Sequence, residues 1–177
     1  AARRSSVTVA SVTNTPSRID GIAGAEAVFF AIGLGLCLRV QGVEAGVAMP
    51  LATLIGASTL GFLAWNWPPA RIFMGDVGSG FLGFGLGALA LLAHRETGLN
   101  PWVPTILLGV FVTDATVTLL RRAARGERWY AAHRSHAYQW LARRHGAQRP
   151  VTLASIGLKL LWLLPLAALA TLHPSWA

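Results

Sequence analysis

Arg71-Ile72-Phe73-Met74-Gly75-Asp76-Val77-Gly78-Ser79 sets one carboxylate between two apolar runs, residues 47–65 before it and 79–93 after it. Such runs approach the roughly 20 residues that a helix needs to cross the hydrocarbon of a bilayer. A charged group at that boundary is costly unless it binds something, so Asp76 is a candidate site residue. The glycines on either side allow a ligand to approach the backbone, and a carboxylate beside the Ser79 hydroxyl suits a hard cation such as Mg²⁺. The competing reading is a polar turn that caps a helix at Ser79.

Working outward, three more apolar segments stand at 22–38, 101–120 and 152–173. None shows the alternation of a barrel strand, so the expected fold is an all-α polytopic membrane bundle of about five helices. Composition agrees: 54% of the 177 residues are hydrophobic and only 12% are charged, with a mean hydropathy of +0.52. The segment 79–93 is short for a span unless it borrows residues from the Asp76 turn or the His94 loop. Its glycines at 80, 83 and 87 share one helical face, which predicts close helix packing. The lone cysteine, Cys37, offers no disulfide, and no secretory leader is evident in the opening residues.

The 15 basic residues comprise fourteen arginines and Lys159, against seven acids. Eight of the arginines fall in 121–149 with Glu127 as the only acid there. By the positive-inside rule that loop is cytoplasmic. Counting spans backwards places the Asp76 loop and the Asp20 segment on the same face. A basic loop of this kind attracts anionic lipid, which explains the net charge of +8 without a nucleic-acid partner.

Three further groups of residues carry chemistry. In His133-Arg134-Ser135-His136-Ala137-Tyr138-Gln139, guanidinium and imidazole donors suit phosphate, whereas a structural zinc would need four ligands. Contact with lipid headgroups is the bland alternative for this segment. Asp20 lies in the small-residue turn Asp20-Gly21-Ile22-Ala23-Gly24, where an acid at a helix N-terminus would suffice as an explanation. Asp114 lies inside the fourth apolar segment; it serves the site, or it pairs with Arg121 or Arg122. Taken together, these residues predict a membrane enzyme with acids, arginines and histidines converging on a phosphorylated substrate at the cytoplasmic surface, with a lipid co-substrate.

Phe73-Met74-Gly75-Asp76-Val77-Gly78-Ser79 resembles the signature of the polyprenyl-phosphate N-acetylhexosamine-1-phosphate transferases, glycosyltransferase family 4. The His133–Gln139 segment is similar to the late histidine motif of the O-antigen-initiating branch, and Asp20–Gly24 to the end of another family stretch, upstream of which Asn14 still matches. The resemblance runs from about residue 19 to 173. It implies transfer of a sugar-1-phosphate from a UDP-N-acetylhexosamine to undecaprenyl phosphate, releasing UMP, with Mg²⁺ (Mn²⁺ as a substitute), at the bacterial inner membrane. Asp76 would be the metal ligand. His133, Arg134 and His136 would hold the diphosphate, while Asn14, Asp20 and Asp114 would help to bind substrate.

The chain departs from the family in lacking its paired-aspartate motif. Ser17 also occupies the place of an expected aspartate. These departures predict a C-terminal half (residues 19–177) behind an atypical or foreign segment (residues 1–18), with a separate N-terminal half as partner. The isolated chain is then expected to be inactive, or to act as a non-enzymatic membrane module.

Overall fold

Glycine and proline punctuate long apolar runs, and the helices follow that punctuation. The computed structural model describes residues 20–44, 46–127 and 136–173. Helix α1 (Ile22–Gln41) begins after Gly21 and ends at Gly42, both with positive φ. Helix α2 spans Ala48–Asn66 and α3 spans Gly75–Thr97. Next come α4 (Trp102–Leu107) and α5 (Gly109–Ala124), then α6 (Ala137–His145) and α7 (Arg149–Leu158). A π-helical turn, Lys159–Leu163, joins α7 to α8 (Leu164–Leu172). No strand occurs among the described residues.

Among the described residues four helices are long and apolar enough to cross a membrane: α1, α2, α3 and the composite Arg149–Leu172. The third reaches 23 residues by taking in Gly75 and Asp76 at one end and His94–Thr97 at the other. The fourth apolar segment departs from the expected single span. It breaks at Leu108, which has φ −85° and ψ 3°, into the short α4 and the longer α5. Pro101 and Pro104 remove backbone donors from this stretch and Gly109 follows directly, so a continuous helix is weakened there.

The innermost helix is α1. Phe30, Leu34, Cys37 and Leu38 are buried on it, against Ala48 and Ala52 of α2, Leu86 and Leu89 of α3, Leu107 of α4 and Ala167 of α8. Small residues make this possible. A Cβ on Gly33 would lie 2.7 Å from Leu107 Cδ2, so the bare glycine leaves room for the buried Leu107 side chain of α4 against α1. The glycine face of α3 departs from expectation: a Cβ at Gly80, Gly83 or Gly87 would meet nothing within 4 Å. The helix turns its other side, bearing Leu86, Leu89 and Ala93, toward the core.

Polar contacts sort to the two ends of the bundle. At one end, Gln41 Nε2 donates to Thr97 O (2.9 Å), and the Glu96 carboxylate accepts from Val47 N–H and Ala48 N–H (3.1 and 3.0 Å). At the other, Gly21 N–H donates to Asn66 Oδ1 (3.0 Å), Asn66 Nδ2 to Ile72 O (2.8 Å) and Arg149 Nε to Pro68 O (2.8 Å). That second end gathers Asp20, the α2–α3 loop and the start of α7. The parity argument from sequence expected this grouping.

Candidate functional site

The site grows from α5. The helix is amphipathic and carries Asp114, Thr118, Arg121 and Arg122 at helical spacing. Asp114 meets the residues just before and within α6. His136 precedes that helix in an extended conformation (φ −64°, ψ 146°), so it is not part of the helix itself. Its Nδ1–H donates to Asp114 Oδ2 (2.8 Å), and Ala137 N–H donates to Asp114 Oδ1 (2.8 Å). An ionised carboxylate only accepts, which puts an imidazole proton on Nδ1. The carboxylate thus orients the ring, as carboxylates orient ligand and catalytic imidazoles elsewhere.

Aromatic rings support this clasp. Tyr138 stacks on His136 (centroids 5.2 Å apart, 6° between planes), and Phe111 of α5 stacks on Tyr138 (6.2 Å, 15°). Burial, helped by the nearby Asp114 carboxylate, pushes the Tyr138 phenol up to about 12. Tyr138 therefore stays neutral across the physiological range and acts through its ring and hydroxyl.

Asp114 borders two cavities of different character. One, about 460 Å³, is lined by Asp114, Thr118, Arg121, Arg122, Arg125 and Trp140 among others. Arg122 also faces Glu127 at 3.5 Å. The guanidiniums in this cavity suit an anion with planar oxygens, such as phosphate. The other, about 470 Å³, is walled by Ile22, Val110, Leu141, Val151, Ala154 and Leu158 together with Tyr138 and Asp114. It suits an apolar chain. Asp114 and Ala137 lie on both walls, so a charged compartment and an apolar one adjoin at the clasp.

The residues singled out from sequence separate into groups. Asp114 and His136 come together: the Asp114 carboxylate grips His136, and Arg121 and Arg122 line the cavity beyond it. Asp20 holds the chain near the α2–α3 loop. Its Oδ2 accepts from Ala70 N–H (3.1 Å), and its own N–H donates to Gln148 Oε1 (3.1 Å). Asp76 is exposed in the first turn of α3, where the helix dipole favours a carboxylate, and Gly75 before it has φ 68°. The Ser79 hydroxyl donates to Asp76 O (3.1 Å), a local helix contact and not a shared ligand set. Asn14, His133 and Arg134 lie outside the described residues.

Metal chemistry was expected around Asp76. Among the described residues no three His, Cys, Asp or Glu side chains come together in a way that could hold a metal ion. A single exposed carboxylate is not a Mg²⁺ site, which needs near-octahedral oxygen ligation. These residues alone therefore do not fit the group, and no step is drawn through it.

Sequence reasoning missed Asn66, Gln148, Tyr138 and the Glu26–Lys159 pair. Asn66 and Gln148 carry no local signal, since each acts through a partner 45 or more residues away. Lys159 did carry one: it is the only lysine and sits inside an apolar run.

Comparison with known proteins converges on one family. The sequence profile described as glycosyl transferase family 4 matches residues 5–94, about half of the chain. A probable undecaprenyl-phosphate N-acetylglucosaminyl 1-phosphate transferase of Bacillus subtilis (strain 168) is 36% identical over 137 residues, covering 75% of this chain and 38% of its own length. A phospho-N-acetylmuramoyl-pentapeptide-transferase of Synechococcus elongatus is 36% identical over 115 residues, covering 65% of this chain and 29% of its own. The corresponding enzyme of Moorella thermoacetica is 31% identical over 115 residues, with 65% and 34% covered. The chain therefore spans about a third of the length of the relatives it matches. No solved structure matches it. The matched profile and these relatives show the family: the chain belongs to glycosyl transferase family 4.

Proposed function

We propose that this chain is part of a membrane enzyme that transfers a sugar-1-phosphate from a UDP-N-acetylhexosamine to undecaprenyl phosphate. UMP is released, and the product starts a cell-envelope polysaccharide such as O-antigen. The observation that carries this reading is the position of Asp114 on the shared wall of an arginine-lined and an apolar cavity. A phosphorylated polyprenol has the matching split, with a dianionic head on a hydrocarbon chain.

In the reaction, an oxygen of the lipid phosphate attacks the β-phosphorus of the UDP-sugar. A new P–O bond forms, the bond from the β-phosphorus to the bridging oxygen breaks, and the pair of electrons leaves with UMP. The work left to protein groups is positioning and charge neutralisation. Arg121, Arg122 and Arg125, with Arg134, supply donors for the phosphate oxygens. His136, oriented by Asp114, donates a hydrogen bond to the diphosphate. His133 joins it on the diphosphate, and Asn14 and Asp20 contact the nucleotide-sugar. Were Mg²⁺ or Mn²⁺ to take part, Asp76 would offer it one carboxylate, and its charge would offset that of the diphosphate. The arginine-rich face is cytoplasmic, at the inner membrane of a bacterium, where UDP-sugars are made.

A second reading, that the isolated chain is an inactive or split fragment acting as a membrane module, is favoured by the lack of a metal-ligand trio among the described residues. One experiment separates the two. The purified chain is incubated with undecaprenyl phosphate, a panel of UDP-N-acetylhexosamines and Mg²⁺. UMP release and retention of the radiolabelled lipid are measured together. Retention of undecaprenyl phosphate but not undecaprenol, lost on Arg121→Gln/Arg125→Gln, is the expected result. UMP release abolished by Asp76→Asn would make the chain a complete enzyme, while lipid retention without UMP would favour the fragment. Equal retention of phosphate and alcohol would refute the substrate assignment.

A further inference from the structure

Two charged residues lie in the apolar interior and line neither cavity. Glu26 of α1 and Lys159, the first residue of the π-helical turn, are 2% and 0% exposed and form a direct ion pair through Glu26 Oε2 and Lys159 Nζ. Glu26 Oε1 has no hydrogen-bond partner. Burying such a pair is costly, and well-packed apolar residues often hold helices together at least as well.

Lys159 Nζ lies 6.0 Å from the ring centroids of both Phe29, on α1, and Phe111, on α5. Phe111 stacks on Tyr138, Tyr138 stacks on His136, and His136 is gripped by Asp114. An unbroken series of contacts thus runs from the interior pair to the clasp. The helix at its middle needs such a tie. Helix α5 packs chiefly against its own predecessor α4 and makes few contacts elsewhere in the bundle. The π turn inserts an extra residue per turn at Lys159, a local rearrangement that occurs often at functional sites.

We propose that the Glu26–Lys159 pair is a positioning device: Glu26 holds the Lys159 ammonium against the Phe111 ring, and Phe111 thereby sets Tyr138 and His136 in register with Asp114. Neither charged residue touches substrate. The clasp is the one used in the proposed transfer, but the test reads its geometry and not turnover. Failure of the transferase reading and failure of this one are therefore distinguishable.

The test is NMR of the full chain labelled with ¹⁵N-histidine in detergent micelles, with His136→Gln to assign the signal and helicity and thermal midpoint to check the fold. In the parent chain, His136 Nδ1–H gives a downfield proton signal protected from exchange by its carboxylate acceptor. Glu26→Gln/Lys159→Met removes both charges at similar volume; Phe111→Leu leaves the pair and cuts the link. Both variants are expected to fold and to exchange the Nδ1 proton about tenfold faster or lose its signal. Phe29→Leu, which removes the other ring beside the same ammonium, keeps the signal. Should the neutral double variant fail to fold, Phe111→Leu and the exchanged pair Glu26→Lys/Lys159→Glu decide, since the exchange keeps the pair but moves the ammonium onto α1. A protected His136 signal in a folded double, exchanged or Phe111→Leu variant overturns the proposal.

Discussion

Replacing Asp114 with asparagine tests the clasp at its centre. The carboxylate now accepts from two donors at once, His136 Nδ1–H and Ala137 N–H, each at 2.8 Å. A carboxamide has one acceptor oxygen, and its NH₂ group would face whichever donor the oxygen does not serve. One bond to a charged acceptor is lost and one donor is left facing another. The side chains of His136 and Asp114 are 23% and 13% exposed, so solvent relieves only part of this. A hydrogen bond to a charged group is worth about 1.5–3 kcal/mol, which puts the cost near 2 kcal/mol. At about 2–4 °C per kcal/mol for a chain of this size, the thermal midpoint in detergent should fall by roughly 4–8 °C. His136→Gln supplies the second arm of a double-mutant cycle and leaves the Ala137 bond in place. The expected coupling energy between the two positions is about 1–2 kcal/mol. Additive effects, within about 0.5 kcal/mol, would show that Asp114 and His136 do not act together and would refute the clasp.

Other perturbations address separate links. Glu96→Ala removes the acceptor for Val47 N–H and Ala48 N–H at the start of α2 and should lower stability by about 1 kcal/mol, read as a lower thermal midpoint with lipid retention unchanged. Gly33→Val places side-chain atoms where Leu107 Cδ2 already lies 2.7 Å from a bare Cβ, so α4 must move off α1; a loss of about 1–3 kcal/mol is expected, and Gly83→Val, with open space around it, should cost far less. In a Tyr130→Phe background, absorbance should show the Tyr138 phenol ionising near pH 12, and lower in Asp114→Asn because one of its two causes is gone. The sign follows from a folded value raised above that of the unfolded chain: the contribution of Tyr138 to stability is intact below about pH 10 and is lost as pH rises toward 12.

Much of the architecture is written in the order of residues. Apolar runs of span length can satisfy their backbone in lipid only as helices, so a helical bundle follows from hydropathy alone. Span parity was enough to expect Asp20, the loop before Asp76 and the start of α7 at one end, as Gln148 and Arg149 show. The Phe73–Ser79 and His133–Gln139 motifs pointed to the family, because motif recognition needs only local order. The break at Leu108 was less legible: Pro101, Pro104 and Gly109 are visible in sequence, but hydropathy averages over them.

What only the tertiary structure decided is which side chains meet. Asp114 and His136 lie 22 residues apart, and no periodicity relates a helix face to a residue beyond the next loop. That the Asp114 carboxylate meets His136 and Ala137 N–H depends on the chain bringing the start of α6 against α5. The glycine face of α3 shows the same limit in reverse, since composition announces a surface that can pack closely but does not name a partner. Lys159 gains its meaning only when α1 brings Glu26 and Phe29 to it and α5 brings Phe111. Hydropathy and local motifs are short-range properties of the chain and are readable as such. Contacts between distant helices depend on packing and crossing geometry, which arise only when all the helices are present together.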